Sequence, residues 1–217
     1  LPCVRIVDAP RFEWRGVMLD VARHFFGVDQ ITRLIELIAS LKLNRLHLHL
    51  TDDQGWRLDI PAHPDLVAVG GAGASGGDPG GWFSLDDWQE LCRHGARHHV
   101  TVVPEIDLPG HTNAALASLP WLNPGGIPPA PYTGSDVGFS TLHLDLPETR
   151  AFVEDVIAGV ASVSGQYLHI GGDEAAATDP ADYAAWVEFL HRTVTRHGST
   201  MVGWEEIAPH PLPPGTL

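Results

Sequence analysis

The feature that most constrains this chain is an alternation. Short apolar runs of strand length trade with amphipathic stretches of helix length, and carboxylates or histidines follow most of the runs. Arg15–Val21 reads as a strand. Asp29 is expected to cap a helix whose apolar stripe is Ile31, Leu34, Ile35, Ile38 and Leu41. Arg45–Thr51 alternates strictly, with its leucines on one face and His47, His49 and Thr51 on the other. The glycine-rich stretch 70–81 is expected to be mobile. Ser84 and Asp87 open a second helix as a capping box, and it runs to about His98. Val100–Ile106 reads as a buried strand with Pro104 near its end. Residues 119–140, rich in Pro and Gly, are expected to form a long loop. Pro147 starts a helix to about Val163, and Tyr167–Ile170 is a strand stopped by Gly171-Gly172. Asp179-Pro180 starts a helix that Gly198 closes, and Met201–Trp204 begins a fifth strand.

Strands that alternate with helices of this length run parallel and are joined by crossovers. Asp52 and Asp53, Asp107 and His111, Asp173 and Glu174, and Glu205 and Glu206 all follow strand ends. Functional groups at four strand ends predict an α/β fold of the (β/α)8 TIM-barrel type, with its site on the C-terminal face. The barrel is incomplete, at about five β/α units. A doubly wound sheet would use only the ends at its switch point, and neither a G-x-G-x-x-G nor a P-loop occurs. Residues 13–217 are expected to be the partial barrel, and 1–12 the remnant of a linker from a preceding domain.

Thirteen Lys and Arg against 27 Asp and Glu give a net charge of −14. That argues against nucleic acid and anionic membrane as partners. Only Cys3 and Cys92 occur, too few for a disulfide framework or a zinc–thiolate site. The chain begins Leu1-Pro2, with no initiator Met and no basic or apolar leader. Either a targeting segment has been removed or the chain is a piece of a longer product, so localisation stays open between secreted and cytoplasmic.

His169-Ile170-Gly171-Gly172-Asp173-Glu174 is the sharpest local signal. The glycines permit a sharp turn and close approach of a ligand. Two adjacent carboxylates resist joint ionisation, so one is expected to be raised and to serve as a general acid. An isolated Asp-Glu would read as a solvated turn; behind Gly-Gly at a barrel strand end it reads as functional.

With that hexapeptide the chain resembles the family 20 glycoside hydrolases, the β-N-acetylhexosaminidases. Arg15–Phe25, Leu46–Arg57, Pro104–His111, His169–Glu174 and Gly203–Glu206 match five motifs in the family's order. The resemblance implies hydrolysis of terminal β-linked N-acetylhexosamine by a retaining mechanism. In it the sugar's own acetamido oxygen attacks and forms an oxazolinium. It implies that Glu174 protonates the leaving oxygen and later activates water, and that Asp173 holds the acetamido N–H. Arg23 would grip O3 and O4, its planar fork suiting adjacent oxygens. Asp52 and His111 would tune Glu174, and Trp204 would line the acetamide pocket.

His47, His49 and His169 are expected to point into the barrel as supporting hydrogen-bonding groups. Trp56 and Trp82 either flank the cleft or pack under loops, and Glu205 and Glu206 are either solvent-facing or support the site. The implied partners are N-acetylhexosamine-terminated glycans or chitooligosaccharides, with no cofactor and no metal. A whole barrel takes about 250 residues and eight strands. The family's tyrosine for the acetamido oxygen, further tryptophans and the acids for O4 and O6 belong to strands beyond the five counted. The piece alone is therefore expected to be weakly active or inactive. Two other readings compete. One is a metal-dependent barrel hydrolase using His47, His49, Asp52, Asp107, His111 and His169. The other is a truncated remnant or sugar-binding module without turnover.

Overall fold

The computed structural model describes residues 3–212 and 214–217; Leu1, Pro2 and Pro213, which fall in the predicted linker and barrel segments, lie outside them. The elements run β1 (Gly16–Asp20), α1 (Val28–Ser40), β2 (Arg45–His49), β3 (Thr51–Asp52), β4 (Gly55–Trp56), α2 (Asp65–Ala68) and α3 (Leu85–Arg97). There follow β5 (Thr101–Glu105), α4 (Asn113–Ser118), α5 (Pro147–Val163), β6 (Tyr167–His169), α6 (Pro180–Arg196) and β7 (Thr200–Val202). Strands β1-β2-β5-β6-β7 form one parallel sheet in that order. This is the expected alternation, five strands joined by four helical connections among the described residues. β3 and β4 make a small antiparallel hairpin beyond the end of β2.

The two faces of β2 follow its alternation. Leu46 and Leu48 are fully buried with Ile31, Ile35 and Ile38 of α1 and with Val156 of α5. Each such side chain contributes about 1.5–3 kcal/mol on burial. His47 faces the other way, into a concave lumen. There Trp14, Val17, Met18, Val103, His169, Val202 and Trp204 line a cavity of about 510 Å³. β1 and β7 are the edges of the sheet.

The helix ends show which local signals count. Ser84 Oγ accepts from Asp87 N at 3.1 Å, Asp87 Oδ2 accepts from Ser84 N at 3.0 Å, and Asp179 accepts from Ala181 N at 2.8 Å. Those caps are as expected. Asp29 is not a cap: the N-cap lies two residues earlier at Gly27, whose N–H donates to Gln30 Oε1 at 2.8 Å. Asp29 sits in the first turn, where an acid also suits the helix dipole. Leu41 leaves the apolar stripe. The helix stops at Ser40, Lys42 takes φ 61°, and Leu41 is 65 % exposed. Residues 3–12 carry no regular secondary structure and are exposed.

The glycine-rich stretch 70–81 is pinned rather than free. Arg57 is fully buried, and its guanidinium donates to the carbonyls of Gly71 (3.2 Å), Gly81 (3.1 Å) and Gly73 (2.8 Å). On its other side it donates to Val21 O at 3.0 Å and to Ala22 O. No side chain could stand at Gly55, since a Cβ there would strike this guanidinium. Burial lowers the Arg57 pKa to about 10. The loop 119–140 is tied in a similar way. Ser140 Oγ donates to Asp53 at 2.5 Å, Gln54 Nε2 to Gly134 O at 2.9 Å and Asn113 Nδ2 to Ala130 O at 3.0 Å.

Candidate active site

The site forms where the strand ends converge. After β6 the chain turns through Gly171 (φ 68°) and Gly172 (φ 102°). The close approach that requires glycine is made by a side chain of the protein: a Cβ on Gly171 would collide with Asp107 Oδ1, which accepts from Gly172 N at 3.1 Å. Beyond the turn stand Asp173, partly buried, and Glu174, half exposed.

Both carboxylates face one imidazole. His111 Nε2 lies 3.8 Å from Asp173 Oδ2 and 3.6 Å from Glu174 Oε2. His111 and Glu174 both hold left-handed backbone, at φ 55° and 44°. For non-glycine residues that costs on the order of 1–2 kcal/mol each, and such outliers gather at functional sites. On its other side His111 Nδ1 is 3.2 Å from Asp52 Oδ1. Asp52 Oδ2 in turn takes Arg23 Nη2 at 2.7 Å and His49 Nε2 at 2.7 Å. Arg23 is also held by Asp20 Oδ2 at 2.9 Å. Thus Arg23, Asp52, His111, Asp173 and Glu174, from four separate strand ends, form one connected group. Asp53 instead turns away to bind the N–H of Asn113 at 2.9 Å and Ser140, fixing the long loop.

Behind this group lies a buried hub. Glu105, at the end of β5, is fully buried. Its Oε2 is 2.6 Å from His47 Nε2 and 2.9 Å from His49 Nδ1, and its Oε1 accepts from Trp204 Nε1 at 2.9 Å. His169 Nδ1 lies 3.4 Å away, but it accepts the N–H of Gly171 at 3.0 Å. That places the imidazole proton on Nε2. A chain of alternating charge therefore runs Glu105–His49–Asp52–His111 to the carboxylate pair.

The electrostatics follow from this layout. Burial alone would lower the pKa of His49, but Glu105 and Asp52 hold it well above the usual imidazole value. Burial opposes ionisation of Asp52, yet hydrogen bonds from His111 and His49 and the charge they bring keep its carboxyl far below the ordinary range. His111 is raised: burial works against it, and Asp52 first, then Asp173 and Asp53, outweigh burial. His169 is lowered by burial, in keeping with a neutral ring. Asp107 is raised well above its ordinary value by burial and by the neighbouring charges of Glu105 and Asp173. Glu105 is held low against burial, chiefly by the His49 charge.

Trp204 spends its indole N–H on Glu105 and packs edge-on against His169, with ring centres 4.9 Å apart. Trp56 is buried, with its N–H on Leu58 O at 2.7 Å, whereas Trp82 is 47 % exposed. Glu205 and Glu206 are exposed. Sequence reasoning did not single out Glu105, Asp20 or Arg57. The available signal was a carboxylate inside the apolar run 100–106, which must find partners when buried. Of the residues of a metal-hydrolase reading, His49 and His111 pair with Asp52, while His47, His49 and His169 gather around Glu105; Asp107 makes no ion pair among the described residues and accepts the N–H of Gly172.

Known proteins resemble the chain in sequence and fold. The chain is 47 % identical over its whole length to a β-N-acetylhexosaminidase of Cellulomonas fimi, of which it spans 44 %. It superposes on the GH20 β-N-acetylhexosaminidase of Streptomyces coelicolor with a TM-score of 0.95 and 49 % identity, covering 97 % of this chain and 43 % of that one. A β-hexosaminidase of Streptomyces plicatus, in complex with its product GlcNAc, gives a TM-score of 0.94 at 49 % identity, covering 96 % and 42 %. The chain thus spans less than half the length of these relatives. The catalytic-domain pattern of glycosyl hydrolase family 20 matches residues 12–182, and the chain belongs to that family.

Proposed function

We propose that this chain carries the acid/base half of a β-N-acetylhexosaminidase site, which releases terminal β-linked N-acetylhexosamine. Residues 13–217 would be the first part of the catalytic barrel and 1–12 the linker into it. The observation that carries the reading is a set of polar atoms left over by the protein. His111 Nε2 and Asp173 Oδ1 are buried without hydrogen-bond partners, beside a Glu174 that is half open to solvent. Buried orphans of this kind await a ligand's polar groups.

In this reading Glu174 donates its proton to the glycosidic oxygen as the C1–O bond breaks. The acetamido carbonyl oxygen of the same sugar closes on C1, giving a bicyclic oxazolinium. Asp173 accepts the acetamido N–H and opposes the positive charge that develops there, an interaction that gains most in a dry, preorganised site. Glu174, now a carboxylate, takes a proton from the water that reopens the ring, so the anomeric configuration is retained. His111, whose pKa Asp52 raises, sets the electrostatics of both carboxylates. Arg23, clamped by Asp20 and Asp52, presents its remaining donors to sugar hydroxyls. Trp204 would supply an apolar wall for the acetamide methyl. Terminal GlcNAc-type glycans and chitooligosaccharides are the proposed substrates; the GlcNAc bound by the Streptomyces plicatus relative and the name of the N,N'-diacetylchitobiase of Vibrio harveyi, 42 % identical over 137 residues, support that class.

The test is hydrolysis of a chromogenic aryl β-N-acetylglucosaminide. It compares residues 1–217, a version extended to eight strands, and Glu174→Gln in each. The expected result is turnover by the extended form only, abolished by Glu174→Gln. A folded extended protein with no turnover would contradict the proposal and favour a binding module.

A further inference from the structure

A second cluster of ligating side chains lies on the helix layer, formed by α1 and α3. His94 lies in the last turn of α3 and His98 is its C-cap, four residues on, so their rings face each other, with centres 4.7 Å apart and planes inclined by 31°. Glu36 reaches across from α1 and puts Oε1 3.3 Å from His94 Nε2. Glu36, His94 and His98 can each offer one ligand atom, with all three atoms within 4.8 Å of one another. His94 is the inner member, its side chain 15 % exposed. Its Nε2 is buried and has no hydrogen bond, because the Glu36 oxygen, though near, lies off hydrogen-bond geometry. This nitrogen faces a carboxylate and a second imidazole across a helix–helix seam.

We propose that Glu36, His94 and His98 form a binding site for a divalent transition cation of the zinc type, which ties α1 to α3. Two imidazole nitrogens and one carboxylate oxygen suit zinc, cobalt, nickel or copper. Magnesium and calcium prefer oxygen donors throughout. Bonds of about 2.0–2.2 Å place tetrahedral ligands roughly 3.3–3.6 Å apart, so the three groups must close in by about 1 Å. Glu36 is more than half exposed and free to swing inward; water completes the fourth position.

One neighbour competes. Arg97 Nη2 lies 3.2 Å from His94 Nδ1 and 3.0 Å from Glu90 Oε1, and Glu90 also pairs with Arg93 at 3.0 Å. A cation on Nε2 requires the imidazole proton on Nδ1. Arg97 therefore releases His94 and keeps Glu90, a movement its exposed guanidinium permits. Glu36 and Glu90 together offset the added positive charge. The site lies apart from Asp173 and Glu174 and does not depend on the proposed hydrolysis.

The test uses the 217-residue chain, stripped with a chelator and desalted. It is titrated calorimetrically with zinc chloride, and with cobalt(II), whose visible absorption reports ligand geometry. One zinc per chain is expected to bind, and the unfolding temperature to rise with zinc, since a ligand of the folded state stabilises it by mass action. Magnesium should do neither. His98→Ala is expected to weaken zinc binding at least about tenfold. Glu36→Gln, nearly isosteric on an exposed side chain, should weaken it as well and abolish the thermal shift without altering the far-ultraviolet spectrum. Absence of zinc binding would overturn the proposal. Binding undiminished in both variants would do so too, because it would place the metal on the buried imidazoles around Glu105 and Asp52.

Discussion

Replacing Arg57 should reveal how far one buried cation organises this half-barrel. Its guanidinium ties two carbonyls of the β1 turn, Val21 and Ala22, to three carbonyls of the glycine-rich loop. In Arg57→Leu the carbonyls of Gly73 and Gly81 can turn to water, and that of Gly71 keeps the N–H of Gly81 at 2.9 Å. Val21 and Ala22 cannot, since both residues are fully buried. Losing hydrogen bonds from a charged donor at two buried acceptors costs about 1.5–2 kcal/mol each, hence about 3–4 kcal/mol in all. That is a large part of the roughly 5–15 kcal/mol that holds a domain together. Urea unfolding of the 217-residue chain, followed by tryptophan fluorescence, gives the difference directly. Arg57→Lys should recover little, because an ammonium cannot span both sides as a planar fork does. A loss below about 1 kcal/mol, or full recovery with lysine, would refute the reasoning. The same change should loosen Arg23, which follows Ala22 in the chain and whose carbonyl accepts from Ser75 N at 2.8 Å.

Three further outcomes follow from the charged chain. Asp52→Asn removes the group that does most to raise His111, so the His111 imidazole should titrate at lower pH by NMR; an unchanged titration would contradict the linkage. Stability should fall as pH rises from about 6.5 to 9. His49 and His111 have raised folded pKa values, and their contribution is complete below the unfolded imidazole value and lost above it. Asp107, also raised, begins to lose its contribution from the carboxylate range upward, and His169, lowered, acts below the unfolded imidazole value; a urea midpoint that rises from about pH 6.5 to 9 would be inconsistent with the assignment. Below about pH 4 stability should fall again, as Asp52 and Glu105, both held low, take up protons; a midpoint unchanged down to about pH 2 would count against those ion pairs.

Much of this architecture was legible in the chain because its signals are local. The alternation of Arg45–Thr51 separated core leucines from lumen histidines. Ser84 with Asp87 and Asp179-Pro180 fixed two helix starts, and the Gly-Gly turn marked the carboxylate pair. Asp29 misled because an acid favours the first helical turn as well as the cap. The glycine-rich loop was expected to be mobile because its restraint is a single arginine bound to backbone carbonyls, which no side-chain pattern announces. Glu105 escaped notice for a related reason. Its partners His47, His49, His169 and Trp204 come from three other strands and their ends, so only the folded sheet brings them together. The pairing of His94 with Glu36 likewise exists only once α1 and α3 pack.

The most direct test of the account divides the roles of Asp173 and Glu174. In an eight-stranded form of the protein, kcat/KM is measured on N-acetylglucosaminides with leaving groups from dinitrophenol to a simple alcohol. The account predicts that Glu174→Gln leaves the dinitrophenyl substrate, which needs no proton, nearly unaffected. The same change should slow the poorest leaving group by about 10²–10⁴-fold. Asp173→Asn should slow every substrate, whatever its leaving group. Equal losses across the series in Glu174→Gln, or a normal dinitrophenyl rate in Asp173→Asn, would contradict the assignment of acid and acetamido anchor.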